Sequence, residues 1–173
     1  MSFPESVAGI VFSPDRDFVL LIQRRDVPVW VLPGGGIEPS EPPEAAIIRE
    51  ILEETGFTVK IDRLVGDYFP INRLAKHTHL YECSILSGKP TPSSESKNVH
   101  FFPLASLPKL LPPPYLEWIR DAKLQAPPLK KSLTSVTYWT LLKNLFLHPV
   151  LTFRFLLARL GLAINTKSRS LNA

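Results

Sequence analysis

An α/β domain, with a mixed sheet and helices packed on both of its faces, is the fold class that this 173-residue chain predicts. Three observations predict it. β-branched apolar runs are interspersed with amphipathic helical stretches, the runs are joined both by hairpins and by crossovers, and no segment repeats. The chain is 45% apolar and 21% charged, which suits one soluble domain with a modest extension and a sizeable core. Its 18 prolines cluster at "EPSEPP", "KPTP", "LPPPY" and "APPL", where they punctuate elements.

The elements follow in order. "SVAGIVFSP" and "DFVLLIQRR" are buried strands joined across "SPDRD", where Asp15 and Asp17 suit a turn, so they read as a hairpin. "VPVWVLPGGG" is a short extended piece ending in glycines. "EPPEAAIIREILEETG" is a helix: Ser40 is placed to cap it, Pro42 and Pro43 fall where first-turn N–H groups need no partner, and Gly56 stops it. "FTVKIDRLVGDYF" and "HTHLYECSILSG" read as strands separated by the loop "PINRLAK". "KPTPSSESKN" is a polar loop and "VHFFPL" a strand. "PPPYLEWIRDAKLQ" is a helix that buries Tyr115 or Leu116 with Ile119.

Charge divides the chain in two. The first 125 residues hold all 16 acids against 13 Lys and Arg, a net of −3, whereas residues 126–173 hold seven basic residues and no acid, a net of +7. The division expected is therefore a folded domain over 1–125 and a basic, apolar helical extension over 126–173. A single cysteine, Cys83, excludes an internal disulfide framework and fits a reducing compartment. The amino terminus lacks a basic flank and a long apolar run, so a cytoplasmic protein is the expectation.

The first helix carries the chemistry. Ala46, Ile47 and Ile51, with Ile48 less regularly, form its apolar face, while Glu50, Glu53 and Glu54 share another. Like charges at this spacing cost a few tenths of a kcal/mol per pair, roughly, and call for compensation. A hard divalent cation supplies it, because Mg²⁺ takes carboxylate oxygens and leaves positions for water and phosphate. A solvated acidic face relieved by Arg49 is the plainer alternative.

The spacing favours the cation. Five residues separate Gly35 from Glu41 and seven more precede Arg49. Glu50, Ile51, Glu53, Glu54, Gly56 and Phe57 then follow in fixed register. This resembles the signature of the Nudix hydrolases, with Ser40 where a glycine is common. "FVLLIQRR" before "WVLPGGGIE" and the later "NVHFFPLASLPKL" are similar to the flanking strands of that family, so the likeness spans residues 5 to about 125. The resemblance implies a Nudix-like α/β/α sandwich that hydrolyses the pyrophosphate link of a nucleoside diphosphate joined to another moiety, with Mg²⁺ or Mn²⁺ as cofactor. It further implies metal ligation by Glu50, Glu53 and Glu54 with the Gly35 carbonyl, Glu41 behind them, and Arg49 orienting a glutamate. Glu95 stands where relatives often carry a loop acid, and either it or a box glutamate serves as general base. A binding module that senses a nucleotide without turning it over is the rival reading.

The substrate pocket is less defined. Arg24 and Arg25 alternate sides of a strand, so one of them can face phosphate. His77 and His79 share a face and could reach substrate, or serve as hydrogen-bonded structural groups. Trp30 and Tyr68 could stack on a base, or belong to the core.

The extension reads as two helices, "SLTSVTYWTLLKNLFL" and "PVLTFRFLLARLGLAI", hinged at Pro149. Lys143, Pro149, Arg154 and Arg159 interrupt the apolar run and argue against a membrane span. Two readings remain: the helices pack on the core or on a second copy through residues 130–165, or they lie on the inner face of a membrane as a peripheral anchor. Sparse basic residues among bulky apolar ones give no nucleic-acid motif. The expected partner is a nucleotide-derived small molecule.

Overall fold

Apolar alternation and glycine and proline punctuation divide the chain into eleven elements over residues 4–109 and 111–159, the part described by this computed structural model. In chain order they are β1 (Glu5–Val11), β2 (Phe18–Arg24), β3 (Trp30–Val31), α1 (Pro43–Thr55), β4 (Phe57–Pro70) and β5 (His77–Gly88). Then come β6 (Ser96–Pro103), α2 (Tyr115–Lys123), β7 (Leu129–Leu133), α3 (Tyr138–Leu147) and α4 (Pro149–Arg159). A four-stranded mixed sheet runs β1-β5-β4-β7, and a three-stranded antiparallel sheet runs β3-β2-β6.

The side chains sort into two layers. Ala8 and Ile10 of β1, Val19 and Leu21 of β2 and Leu80 of β5 pack with Trp118, Ile119 and Ala122 of α2. The alternate residues Val7 and Val11, Leu20, and Tyr81 and Cys83 pack under Ala46, Ile47 and Ile51 of α1. Period-two alternation thus sends each strand's residues toward opposite helices, which is the expected α/β/α sandwich.

The expected hairpin of β1 and β2 is corrected. Its turn forms, with Ser13 N–H donating to the Phe18 carbonyl at 3.0 Å, but beyond the Phe12–Val19 bridge the strands part. β1 runs parallel to β5, and β2 pairs with β3 and β6. Both strands are buried on both faces, so alternation could not tell which neighbour each would take. Another difference is β7, whose "LKKSL" lies in the stretch that the charge pattern assigns to the extension; it adds a parallel edge strand beside β4. Two lysines on an edge strand discourage further pairing.

Helix α1 ends as expected. Gly56 has φ 76° and donates its N–H to the Leu52 carbonyl at 2.9 Å, a left-handed cap that only glycine makes without strain. Its start is different: Pro42 is the cap, no side chain caps it, and Ser40 lies outside with φ 67°. Ser40 therefore occupies a left-handed turn position, which explains why glycine suits it and why capping does not. In α2 the buried apolar residues are Trp118, Ile119 and Ala122, with Tyr115 packed beside them and Leu116 exposed. Tyr68 is fully buried and donates its hydroxyl to Asp121 at 2.8 Å, so it belongs to the core and not to a base-stacking surface. Trp30 packs edge-on against Phe102 with centroids 4.6 Å apart.

Candidate active site

The box begins where the glycine loop passes β1. Val7 N–H donates to the Gly35 carbonyl at 3.0 Å, and Gly9 N–H to the Pro33 carbonyl at 2.8 Å. Gly34, at φ 150°, lies so close to this strand that a Cβ would stand 2.3 Å from the Val7 carbonyl oxygen. A Cβ on Gly35 would fall 2.5 Å from the Glu50 carboxylate. The glycines thus let backbone and carboxylate meet at one spot.

Arg49 explains how three acids share this helix. Its Nε and Nη2 grip Glu41 at 2.9 and 2.8 Å, a bidentate pair. Its Nη1 donates to Glu50 at 2.9 Å and reaches Glu53 at 3.4 Å, and Nη2 also donates to the Gly36 carbonyl at 3.2 Å. One guanidinium therefore ties the loop, Glu41 and two glutamates together. Its bond holds the Glu41 carboxyl well below the usual carboxylate range, at about 2.

The glutamates differ in setting. Glu53 is exposed over 59% of its side chain. Glu50 is half-buried, and burial raises its pKa against the pull of Arg49, with Glu53 and Glu95 adding to the rise. Glu54 is 7% exposed. Burial pushes it up to about 8; the Gly34 N–H, which donates to it at 2.8 Å, and Arg24 oppose the rise, while Glu50 and Glu95 reinforce it. A buried carboxyl that keeps company with two other acids is a site short of positive charge.

Glu95 reaches this group through the loop before β6. The wholly buried Ser96 donates its hydroxyl to the Glu54 carbonyl at 2.6 Å, and Arg25 N–H donates to the Glu95 carbonyl at 2.9 Å. Loop and helix end are thereby fastened together, with Glu95 near enough to act on both Glu50 and Glu54. The two arginines divide as alternation requires. Arg24 pairs with Asp26, which raises its pKa, and its charge is felt by Glu54. Arg25 instead donates Nε to the Ser93 carbonyl at 2.8 Å and braces the loop.

His77 and His79 join a different group. His77 stacks on Phe69 at 4.4 Å, its Nδ1 lies 3.5 Å from Glu5, and His79 Nδ1 contacts Asp67 at 2.7 Å. Ligand atoms of Glu5, His77 and His79 all lie within 4.8 Å of one another. Among the described residues this is the one group of three or more acids and imidazoles whose ligand atoms meet so closely; Glu50 and Glu53 are joined through Arg49 instead.

Sequence reading missed Ser96, which positions Glu54 from another element, and Asp26, which holds Arg24. Neither has a motif of its own; "SSESKN" signals only a polar loop.

Comparison with known proteins fits this geometry. The NUDIX domain model matches residues 2–122. A Bacillus subtilis protein with the provisional name 8-oxo-dGTP diphosphatase is 35% identical over 117 residues, covering 67% of this chain and 78% of that protein. An ADP-ribose pyrophosphatase of Methanocaldococcus jannaschii is 33% identical over 111 residues, 61% of this chain and 64% of its own length. The solved structure of an ADP-ribose pyrophosphatase from Streptococcus suis superposes with a TM-score of 0.61 at 24% identity, over 76% of this chain and 99% of that one.

Proposed function

The chain belongs to the Nudix family, and from that premise we propose that it is a metal-dependent pyrophosphohydrolase acting on a nucleoside diphosphate linked to another moiety. The observation that carries the reading is Arg49 spanning Glu41, Glu50, Glu53 and the Gly36 carbonyl beside the glycine loop, with Glu50 and Glu54 each raised by burial and by the charge of Glu95. The donor set fits Mg²⁺ or Mn²⁺: all the side-chain ligands are carboxylates, and two of them have pKa values raised by burial. Glu50, Glu53 and Glu54 would hold the ion, together with the Gly35 carbonyl, whose second lone pair is left by the Val7 bond. When bound, the ion supplies charge stabilisation to phosphate oxygens.

The chain's own groups do the rest. Arg49 fixes the carboxylates' directions. Arg24, whose charge is felt by Glu54, would be the cation that meets substrate phosphate. Glu95, on its fastened loop, or a box glutamate takes the proton from the attacking water. Arg25 and His77 are retained as further substrate contacts to be tested by substitution, one beside the loop and the other beside Glu5. Phosphoryl transfer rests mainly on such positioning and electrostatics.

The relatives' names suggest oxidised nucleoside triphosphates and ADP-ribose as first substrates. The test is phosphate release, coupled to a phosphatase, from a panel of these and other nucleoside diphosphate derivatives with Mg²⁺ and with Mn²⁺. Turnover of one class by the wild type, lost in Glu53→Gln, supports the reading. Nucleotide binding without turnover across the panel replaces it with a sensing module.

A further inference from the structure

The two C-terminal helices show their apolar residues to solvent. Of the 19 large hydrophobic side chains exposed among the described residues, ten fall between Tyr138 and Leu156. Trp139 is 74% exposed, Phe146 80%, Val150 70% and Phe153 60%. α3 has no buried residue, and Trp139, Leu142, Lys143, Phe146 and Leu147 line one shallow apolar depression. An apolar surface of this kind marks an interaction site. It is also held in place: Thr152 is buried, and Arg154 donates to the carbonyls of Asp26 at 2.7 Å and Arg25 at 3.1 Å.

Charge and length select the occupant. Residues 126–173 carry seven basic residues and no acid. A two-fold contact with a second copy would set Lys143 of this patch near its counterpart, with no acid in α3 or α4 to neutralise the pair. α3 has ten residues and α4 eleven, about 15–17 Å each, half of what a bilayer core requires. No helix among the described residues is long and apolar enough to cross. Short helices with exposed aromatic residues, aliphatic residues and lysine fit the plane of a lipid interface, where rings enter the headgroup boundary and ammonium groups meet phosphate.

We propose that α3 and α4 form a peripheral docking surface for an anionic lipid bilayer, with Trp139, Phe146, Val150 and Phe153 entering the interface and Lys143 meeting headgroups. This does not depend on the hydrolytic reading. The test is co-sedimentation of the full chain with phosphatidylcholine vesicles and with vesicles that also contain phosphatidylglycerol. The expected result is at least about tenfold more binding to the anionic vesicles, weakening as salt shortens the Debye length. Binding should fall by about tenfold in the Trp139→Ser/Phe146→Ser double variant, whose melting temperature confirms an intact fold. Absence of binding at low salt, equal binding to both vesicle types, or unchanged binding by the double variant would each overturn the proposal. So would a dimer seen by light scattering in the wild type and abolished in that variant, which would make a second copy the occupant.

Discussion

α1 and α3 are of similar length and opposite construction. In α1 the apolar residues Ala46, Ile47 and Ile51 are fully buried, and the charges are organised by a single arginine. In α3 the charge is sparse, no residue is buried, and Trp139 and Phe146 are largely exposed. The difference shows which part of a helix carries its role. Burial of its apolar face fixes α1 as a platform on which Arg49 can orient Glu50 and Glu53, whereas α3 buries no residue and its exposed face is itself the feature.

The comparison breaks first at Glu53. Glu53→Gln should lower kcat by roughly 10²–10³-fold in a metal-dependent assay while leaving the melting temperature nearly unchanged, because the side chain is mostly exposed. A large loss of stability would mean that the acids hold the fold and not the chemistry.

Glu54 sharpens it through pH. Its folded pKa, about 8, lies above the ordinary carboxylate value, so the folded state binds more protons than the unfolded state between the two. Stability from this group is fully present below the unfolded value and is lost as pH rises through about 8. In chelator-treated protein, urea titrations from pH 5 to 8.5 should lose roughly 2–4 kcal/mol from this source. Glu54→Gln should flatten that slope; a slope equal to wild type would place the titrating group elsewhere.

Arg49→Lys tests the joint between the acids. Lysine keeps a charge but cannot make the fork to Glu41 while reaching Glu50 and Glu53, so kcat should fall by about 10–100-fold. Recovery of wild-type kcat would reduce Arg49 to a counter-charge.

Ser40→Gly offers a smaller effect. Relief of the left-handed strain at φ 67° should stabilise the domain by about 0.5–1 kcal/mol, seen as a rise in melting temperature without change in kcat. On the other helix, Phe146→Ser should shift stability by no more than about 0.5 kcal/mol, because the side chain it replaces is 80% exposed.

What the sequence made legible was local. The glycine loop and the body and end of α1 follow from spacings within a few turns, and Gly56 stops the helix where the pattern placed it. Pairing was not legible. Val7 and Ile10, or Leu20 and Leu21, are buried whichever sheet receives them, so the separation of β1 from β2 is decided by β5 and β6 far along the chain. β7 escaped notice because "LKKSL" is a short, basic edge strand. The start of α3 was placed too early: residues 132–137 precede it, and Thr137 is its cap, accepting the Thr140 N–H at 3.0 Å. The hinge at Pro149 is present, and the part of the second expected helix beyond residue 159 lies outside the described residues. Around the candidate site, the polar loop that carries Glu95 was readable by composition, whereas its fastening through Ser96 was not, because that bond joins residues 42 positions apart.

The clip made by Arg154 has a mechanical meaning. Its guanidinium holds the carbonyls of Arg25 and Asp26, immediately after Arg24 in the chain. A pull on α4 therefore reaches the backbone beside Arg24 through two hydrogen bonds, without crossing the hydrophobic layer beneath α1. Tension in the tail would be felt first in the backbone that follows β2.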